Sequence, residues 1–363
     1  MVTITNVKVD VFDWETPNWR VGSGMRFGGR NQLSVVSIET DAGVTGNAFL
    51  SRPEYHAQPL IDLLKPRVMG KNAQDIGRIW ADCYKQNRGV SHAAIGAIDI
   101  ALWDINGKLA DQPIHRLLGT CKDEVPVYSS TAWWESPEEY VQEALEFQSD
   151  GWIAHKLHPH GEAKADIRIC EAVREAVGDE MILMLDSMWS YQYEDAVRVG
   201  RAIEDLDFYW YEDPLDENDL YSYVKLHQKL DIPIMSTEYA PGRYYGMTQW
   251  ITQYATDILR GDVAVTGGIT PLVRLCHLAE GFQMKCEIHH GGNSLNNVAN
   301  LHVTMAVPNC EFFEYFPSTG GFLYGLVEDI DMSGGTVSAP TRPGLGFDID
   351  WDLVKSQHVA TLE

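Results

Sequence analysis

Asp186, Glu212 and Glu238 each close a short apolar run, in ILMLD, FYWYE and IPIMSTE, and successive acids stand 26 residues apart. A period of that length accommodates one strand, one helix and two turns, the βα unit of a parallel sheet. The same texture begins near Val125 and yields eight strand candidates: VPVYSST, IAHKLH, ILMLD, FYWYE, IPIMSTE, DILRGDV, MKCEIH and EFFEYF. Eight such units imply an α/β fold built as a (β/α)8 barrel, with a doubly wound open sheet as the competing arrangement. The first helix of the series opens with SPEE, where Ser136 caps, Pro137 suits the first helical position and Glu139 closes a capping box.

The first third reads differently, as a small mixed α/β domain over residues 1–124. VTITNVKVDVF alternates like a strand, and LSVVSIET and VTGNAFL flank the turn residues DAG as a hairpin. Between them, WRVGSGMRFGGRN reads as a Gly-rich loop bearing Arg20, Arg26 and Arg30. A helix follows, in which Ile95, Ile98, Leu102, Ile105 and Leu109 form one apolar stripe. The barrel is expected over 125–325. After EFFEYF no amphipathic helix is evident, and 326–363 is expected to be irregular chain with a strand or two returning to cover the first domain.

Bulk composition narrows the function classes. A formal net charge of -24 argues against nucleic acid and anionic membranes, which attract clustered Lys and Arg. A small-molecule substrate fits better. The start MVTITNVKVDVFDWE has neither a basic nor an apolar leader segment, and no run approaches ~20 apolar residues, so a cytoplasmic location is expected. Six dispersed cysteines without a CxxC pair are read as buried free thiols.

In a parallel barrel, chemistry sits at the C-terminal ends of strands. Any one strand-end acid could simply cap the next helix. Asp186, Glu212 and Glu238 in register, with no His or Cys among them, read instead as oxygen ligands for a hard cation, Mg²⁺. YEDPLDENDLY is read as one ligand followed by helix-start acids. Asp262 and His289, at the next two strand ends, can pair so that a carboxylate fixes one ring nitrogen and leaves the other to take a proton. Glu314 ends the last strand. In AHKLHPHG, alternation puts Lys156, His158 and His160 on one face, with His155 and Leu157 on the other. Lys156 and His158 would face the metal opposite His289, His155 would pack against a helix, and His160 would lie exposed in a loop.

These residues together resemble the enolase superfamily in its mandelate racemase-like subgroup. The resemblance spans the chain: the capping domain, the helix AIGAIDIALWDINGK followed by LLG, the acids in LDSMWS, YEDP and STE, the segment GDVAVTGGIT, and the histidine strand. It implies an N-terminal α+β capping domain on a (β/α)7β barrel, which accounts for the missing last helix. It also implies Mg²⁺-assisted removal of the proton α to a carboxylate through an enediolate. Asp186, Glu212 and Glu238 match the metal ligands, Asp262 and His289 the base dyad, and Glu314 a position that hydrogen-bonds the substrate carboxylate. His289 is preferred to His290 because it lies 13 residues before His302, a spacing similar to that of relatives. The departure is Lys156-Leu157-His158 where two-sided members carry K-x-K, so His158 stands in place of the second lysine.

Two unlike proton-transfer groups suggest two unlike proton events, and the expected function is dehydration of an acid sugar to a 2-keto-3-deoxy acid. Racemisation, epimerisation or cycloisomerisation through the same enediolate is the alternative; a non-catalytic small-acid binding protein is the alternative of another class. Trp133 and Trp134 could stack on a sugar, His290 could touch the substrate, and Arg20 and Arg26 could close over a distal anionic group. A homo-oligomer is expected from the resemblance.

Overall fold

The computed structural model describes residues 1–20, 26–131, 133–316 and 323–363, with backbone alone for 16–20, 26–28 and 30. An antiparallel sheet holds β1 (Ile4–Arg20), β2 (Arg26–Thr40), β3 (Thr45–Ser51) and β13 (His358–Leu362), in the order β13-β1-β2-β3. The segment expected to be a Gly-rich loop is mostly strand. β1 and β2 pair as far as Trp19 with Phe27 and Arg20 with Arg26, with a register shift between Thr16 and Trp19. Glycine at positive φ, as at Gly29, is compatible with such an irregular ladder. The Arg20 and Arg26 side chains lie outside the described residues.

The second sheet is the barrel. β4 (Glu124–Ser130), β5 (Ala154–Leu157), β6 (Ile182–Asp186), β7 (Tyr211–Glu212), β8 (Ile234–Ser236), β9 (Ile258–Gly261), β10 (Lys285–Ile288) and β11 (Phe313–Tyr315) run parallel in sequential order, with β11 beside β4. The alternation read from the sequence orders the interior in layers. Tyr128, Ala154, Met184, Trp210, Met235, Ile258 and Phe312 form one buried apolar cluster. Two residues further along their chains come Ser130, Lys156, Asp186, Glu212, Arg260 and Glu314, so a polar layer rests on an apolar floor.

β10 and β11 share no ladder, and side chains close that seam. Glu287 accepts from the Glu311 and Phe312 backbone N–H groups at 2.8 and 3.2 Å. At its upper end, the His290 N–H donates to Glu314 Oε2 at 3.1 Å.

Helix His92–Ala110 is buried nearly all round, where a single apolar stripe was expected. It lies between the antiparallel sheet and the barrel, and two buried acids face the two sides. Asp99 accepts from the Thr270 N–H at 2.8 Å. Asp104 accepts from the Asn47 N–H at 2.9 Å, the Leu345 N–H at 2.9 Å and Lys108 Nζ at 2.6 Å. Contact is close enough to require glycine: a Cβ on Gly46 would stand 2.0 Å from the Ala101 carbonyl oxygen.

The C-terminal segment divides its contacts. β12 (Thr336–Ser338) pairs antiparallel with barrel strand β4, and β13 returns to β1. Five of the six cysteines are buried; Cys121 is exposed, against expectation. Among the described residues no helix is long and apolar enough to cross a membrane.

Candidate active site

Asp186 and Glu212 are paired neighbours at the ends of β6 and β7. Glu238 lies two residues past β8, beyond Thr237 at φ 95°. Asp262 follows β9 as the N-cap of a short turn of helix, Val263–Thr266, with Oδ1 accepting from the Ala264 and Val265 N–H groups at 2.7 Å each. Its other oxygen faces His289 Nδ1 at 2.8 Å. The Asp262 partner is therefore His289, and its ring is 24% exposed. Burial works against the charged ring, but Glu238 and Asp262 outweigh it and push the pKa up to about 9. His290 instead turns into the seam, 3.9 Å between ring centroids from Phe313, and burial drives its pKa well below the ordinary value.

On the opposite side, Lys156 Nζ lies 2.9 Å from Glu212, 2.8 Å from Glu314 and 3.3 Å from Asp186. Burial and Arg260 both oppose its charge; Glu212 and Glu314 prevail and raise its pKa well above the ordinary value. The same ammonium, with His158, overcomes burial to hold Asp186 below the usual carboxylate range. His158 Nδ1 is 3.0 Å from the Thr131 carbonyl and Nε2 is 3.0 Å from Asp186 Oδ2, so both ring nitrogens face oxygens that only accept. Trp133 covers that ring at 5.0 Å between centroids, with Phe316 on another side at 5.7 Å. Trp134 is directed away, donating to Glu143 at 2.9 Å. His155 points outward to Ser129 Oγ at 2.6 Å and toward Phe147 of helix Pro137–Ser149. His160 is half-buried and not exposed, held by the Trp134 carbonyl and by Asp166.

Sequence reasoning missed three side chains of this layer. Arg260, fully buried, donates to Glu314 Oε2 at 2.7 Å and Tyr128 Oη at 3.1 Å. Its Nε also lies 2.8 Å from Glu212 Oε1, without hydrogen-bond alignment. Period-two alternation from Asp262 was the available signal: an arginine two residues earlier must share the inward face. Asp213 and Glu217, taken as helix-start acids, are buried. Glu217 accepts from the Thr237 and Tyr239 N–H groups, and burial with Glu238 pushes it up to about 8. Burial and then Glu217 raise Asp213 well above its ordinary value. Only Asp219 caps the helix that follows, Leu220–His227.

Arg260 and Lys156 carry the positive charge of this layer, and removing one end of a buried ion pair strands the other. Arg260→Leu is expected to lower stability by about 3–5 kcal/mol, as for other broken buried pairs, read by urea unfolding. A change under about 1 kcal/mol would show that Glu212 and Glu314 need no such counter-charge.

The acids exceed the cations, and that bears on a metal. Asp186, Glu212, Asp213, Glu217, Glu238, Asp262 and Glu314 converge on Lys156, Arg260 and two histidines. Glu212 Oε1 and Asp213 Oδ1 have no aligned donor. Burial pushes Glu212 up to about 7, and Glu238 is raised for the same reason. Such surplus charge on oxygen ligands fits a hard divalent cation. Among the described residues, Glu238, Asp262 and His289 form a group whose donor atoms lie within 4.8 Å of one another. Asp262 meets two N–H groups and the ring, and Asp186 likewise meets the Met188 N–H, Lys156 and His158, so the oxygens left without a donor are those of Glu212 and Asp213.

The chain matches known families along most of its length. Residues 9–119 match the mandelate racemase / muconate lactonizing enzyme N-terminal domain, and 139–353 match the enolase C-terminal domain-like family. It is 29% identical to a D-xylonate dehydratase of Haloferax volcanii, covering 90% of this chain and 85% of that one. With a D-galactarolactone cycloisomerase of Agrobacterium fabrum the identity is 27% over 97% of each chain. In structure it is similar to a D-glucarate dehydratase of Agrobacterium tumefaciens complexed with magnesium, with a TM-score of 0.90, 33% identity and 99% of both chains covered. Both family matches, the capping sheet and the barrel agree: the chain is an enzyme of the mandelate racemase/muconate lactonizing enzyme family, within the enolase superfamily.

Proposed function

We propose that the protein dehydrates an acid sugar to a 2-keto-3-deoxy acid, with Asp186, Glu212 and Glu238 holding Mg²⁺. The observation that carries this reading is the placement of two different proton-transfer groups on opposite sides of one carboxylate cluster. When bound, Mg²⁺ supplies positive charge beside the substrate carboxylate, where charge grows as the α-proton leaves. The magnesium-bound dehydratase of similar structure supports the metal, and the dehydratases among the relatives support the substrate class.

His289 is the base. Its Nδ1–H is committed to Asp262, and in the neutral form of the ring, whose share grows as pH rises toward about 9, Nε2 is open to accept the α-proton. Lys156 would supply positive charge beside the substrate carboxylate, and Glu314, held ionised against burial by Lys156 and Arg260, only accepts and so would orient the substrate through a hydroxyl. His158 is the acid: its Nε2, 3.0 Å from Asp186 Oδ2, would exchange that contact for the departing β-hydroxyl and protonate it, so that it leaves as water. The Cα–H and Cβ–O bonds break, the enol forms, and its ketonisation gives the 2-keto-3-deoxy product. Trp133 covers His158 and would border the sugar chain. Cycloisomerisation shares the first step without loss of water, and the cycloisomerase relative keeps that reading in play.

Proton NMR of the Mg²⁺-loaded protein in D₂O with pooled mono- and diacid sugars tests the proposal. New 3-deoxy methylene signals alongside lost α-proton signals are expected. Loss of α-protons without new methylenes would replace dehydration by isomerisation.

A further inference from the structure

The helix after β10, Ser294–Ala306, carries asparagines in a solidly buried setting: Asn293 at its N-cap, then Asn296, Asn297 and Asn300. Asparagine is a poor helix former, and burial obliges its amide to find partners. Two of these amides reach the loops that carry the dyad. Asn297 Oδ1 accepts from the Gly291 N–H at 3.1 Å. Asn300, three residues on and so on the same helix face, does more. Its Oδ1 accepts from the Val263 N–H at 2.9 Å, and its Nδ2 donates to the His289 carbonyl oxygen at 2.9 Å.

Val263 directly follows Asp262, so one amide joins the backbone beside the acid of the dyad to the backbone of its histidine. Its orientation is forced, since an N–H only donates and a carbonyl only accepts. The side-chain contact between Asp262 Oδ2 and His289 Nδ1 at 2.8 Å spans two strand ends just past the last pair of their parallel ladder, Ile288 with Gly261, where the His289 N–H donates to the Gly261 carbonyl at 3.0 Å. We propose that Asn300 is a positioning residue for the proton-transfer dyad, clamping the β9 and β10 ends so that the His289 ring keeps both its tautomer and its aim. Buried at 2% exposure, with its amide on two backbone groups, Asn300 acts through His289 and Asp262.

The inference rests on the reading of His289 as the base, and its test separates the two. Asn300→Leu removes both bonds at similar volume; Asn300→Ser, a smaller polar change, stands in if the leucine variant does not fold. In the parent and variant proteins, loaded with Mg²⁺ and labelled with ¹⁵N-histidine, the His289 Nδ1–H resonance is recorded without substrate. The variants are expected to shift or lose that resonance while binding Mg²⁺ as the parent does. With an acid that the parent exchanges, kcat for α-proton exchange should fall on the order of 10²-fold, the cost of a misplacement near 1 Å, with KM little changed. An unchanged His289 resonance, or lower thermal stability with kcat intact, overturns the clamp and leaves Asn300 a packing residue. Should no acid exchange even with the parent, the base assignment fails, while the resonance still decides whether Asn300 holds the ring.

Discussion

His289→Asn is expected to remove α-proton exchange by a factor of about 10²–10⁴, the range for a positioned acid or base, while Mg²⁺ binds as in the parent. The amide keeps roughly the volume of the ring's near half and can still donate toward Asp262, so the carboxylate is not stranded. What disappears is the open nitrogen on the far side. Exchange followed by NMR in D₂O, beside calorimetric titration with Mg²⁺, checks both halves of the expectation. His290→Asn is the control for register. If exchange is lost there and kept in His289→Asn, the proton-transfer histidine is the neighbour and the seam contacts of His290 need another account.

Glu212→Gln is expected to lose bound Mg²⁺ and turnover together. Glu212 is fully buried between Lys156 at 2.9 Å and Arg260 at 2.8 Å, with Trp210 Nε1 donating from 3.3 Å. The amide is nearly isosteric, so packing survives, but a hard cation loses a charged oxygen and faces Lys156 and Arg260 with one carboxylate fewer to balance them, Glu314 remaining on both. Metal content by atomic emission after desalting, and turnover in the same sample, give the answer. Full activity with one Mg²⁺ retained would take Glu212 out of the ligand set.

The barrel was legible because its signal is periodic. A 26-residue repeat and alternating strands placed Asp186 and Glu212 at strand ends, and the structure pairs them directly. Glu238 was found by spacing, although the strand stops at Ser236 and the acid stands past a residue in the left-handed region. What escaped had no local signature. Arg260 reads as one charge in a short run until its inward face is worked out, and Glu217 looks like any acid near a helix start until its two backbone donors are seen. The β1–β2 ribbon was misread because glycine marks loops and irregular ladders alike. Asn300 was the most accessible of the omissions: several asparagines in one apolar helix contradict local propensity, and such conflicts gather at functional sites.

The pairing of β1 with β13 joins Val9 to Leu362 and Phe12 to His358, partners separated by nearly the whole chain. On a ribosome adding residues one at a time, β1 emerges long before the strand that covers its outer edge. Until β13 follows, β1 offers the unpaired amides and carbonyls of that edge to any other extended chain nearby. Closing so long a loop also sets the pace of the final step, since distant contacts form slowly. For a cell making this protein, the exposed interval ends only when residues 358–362 are free to dock.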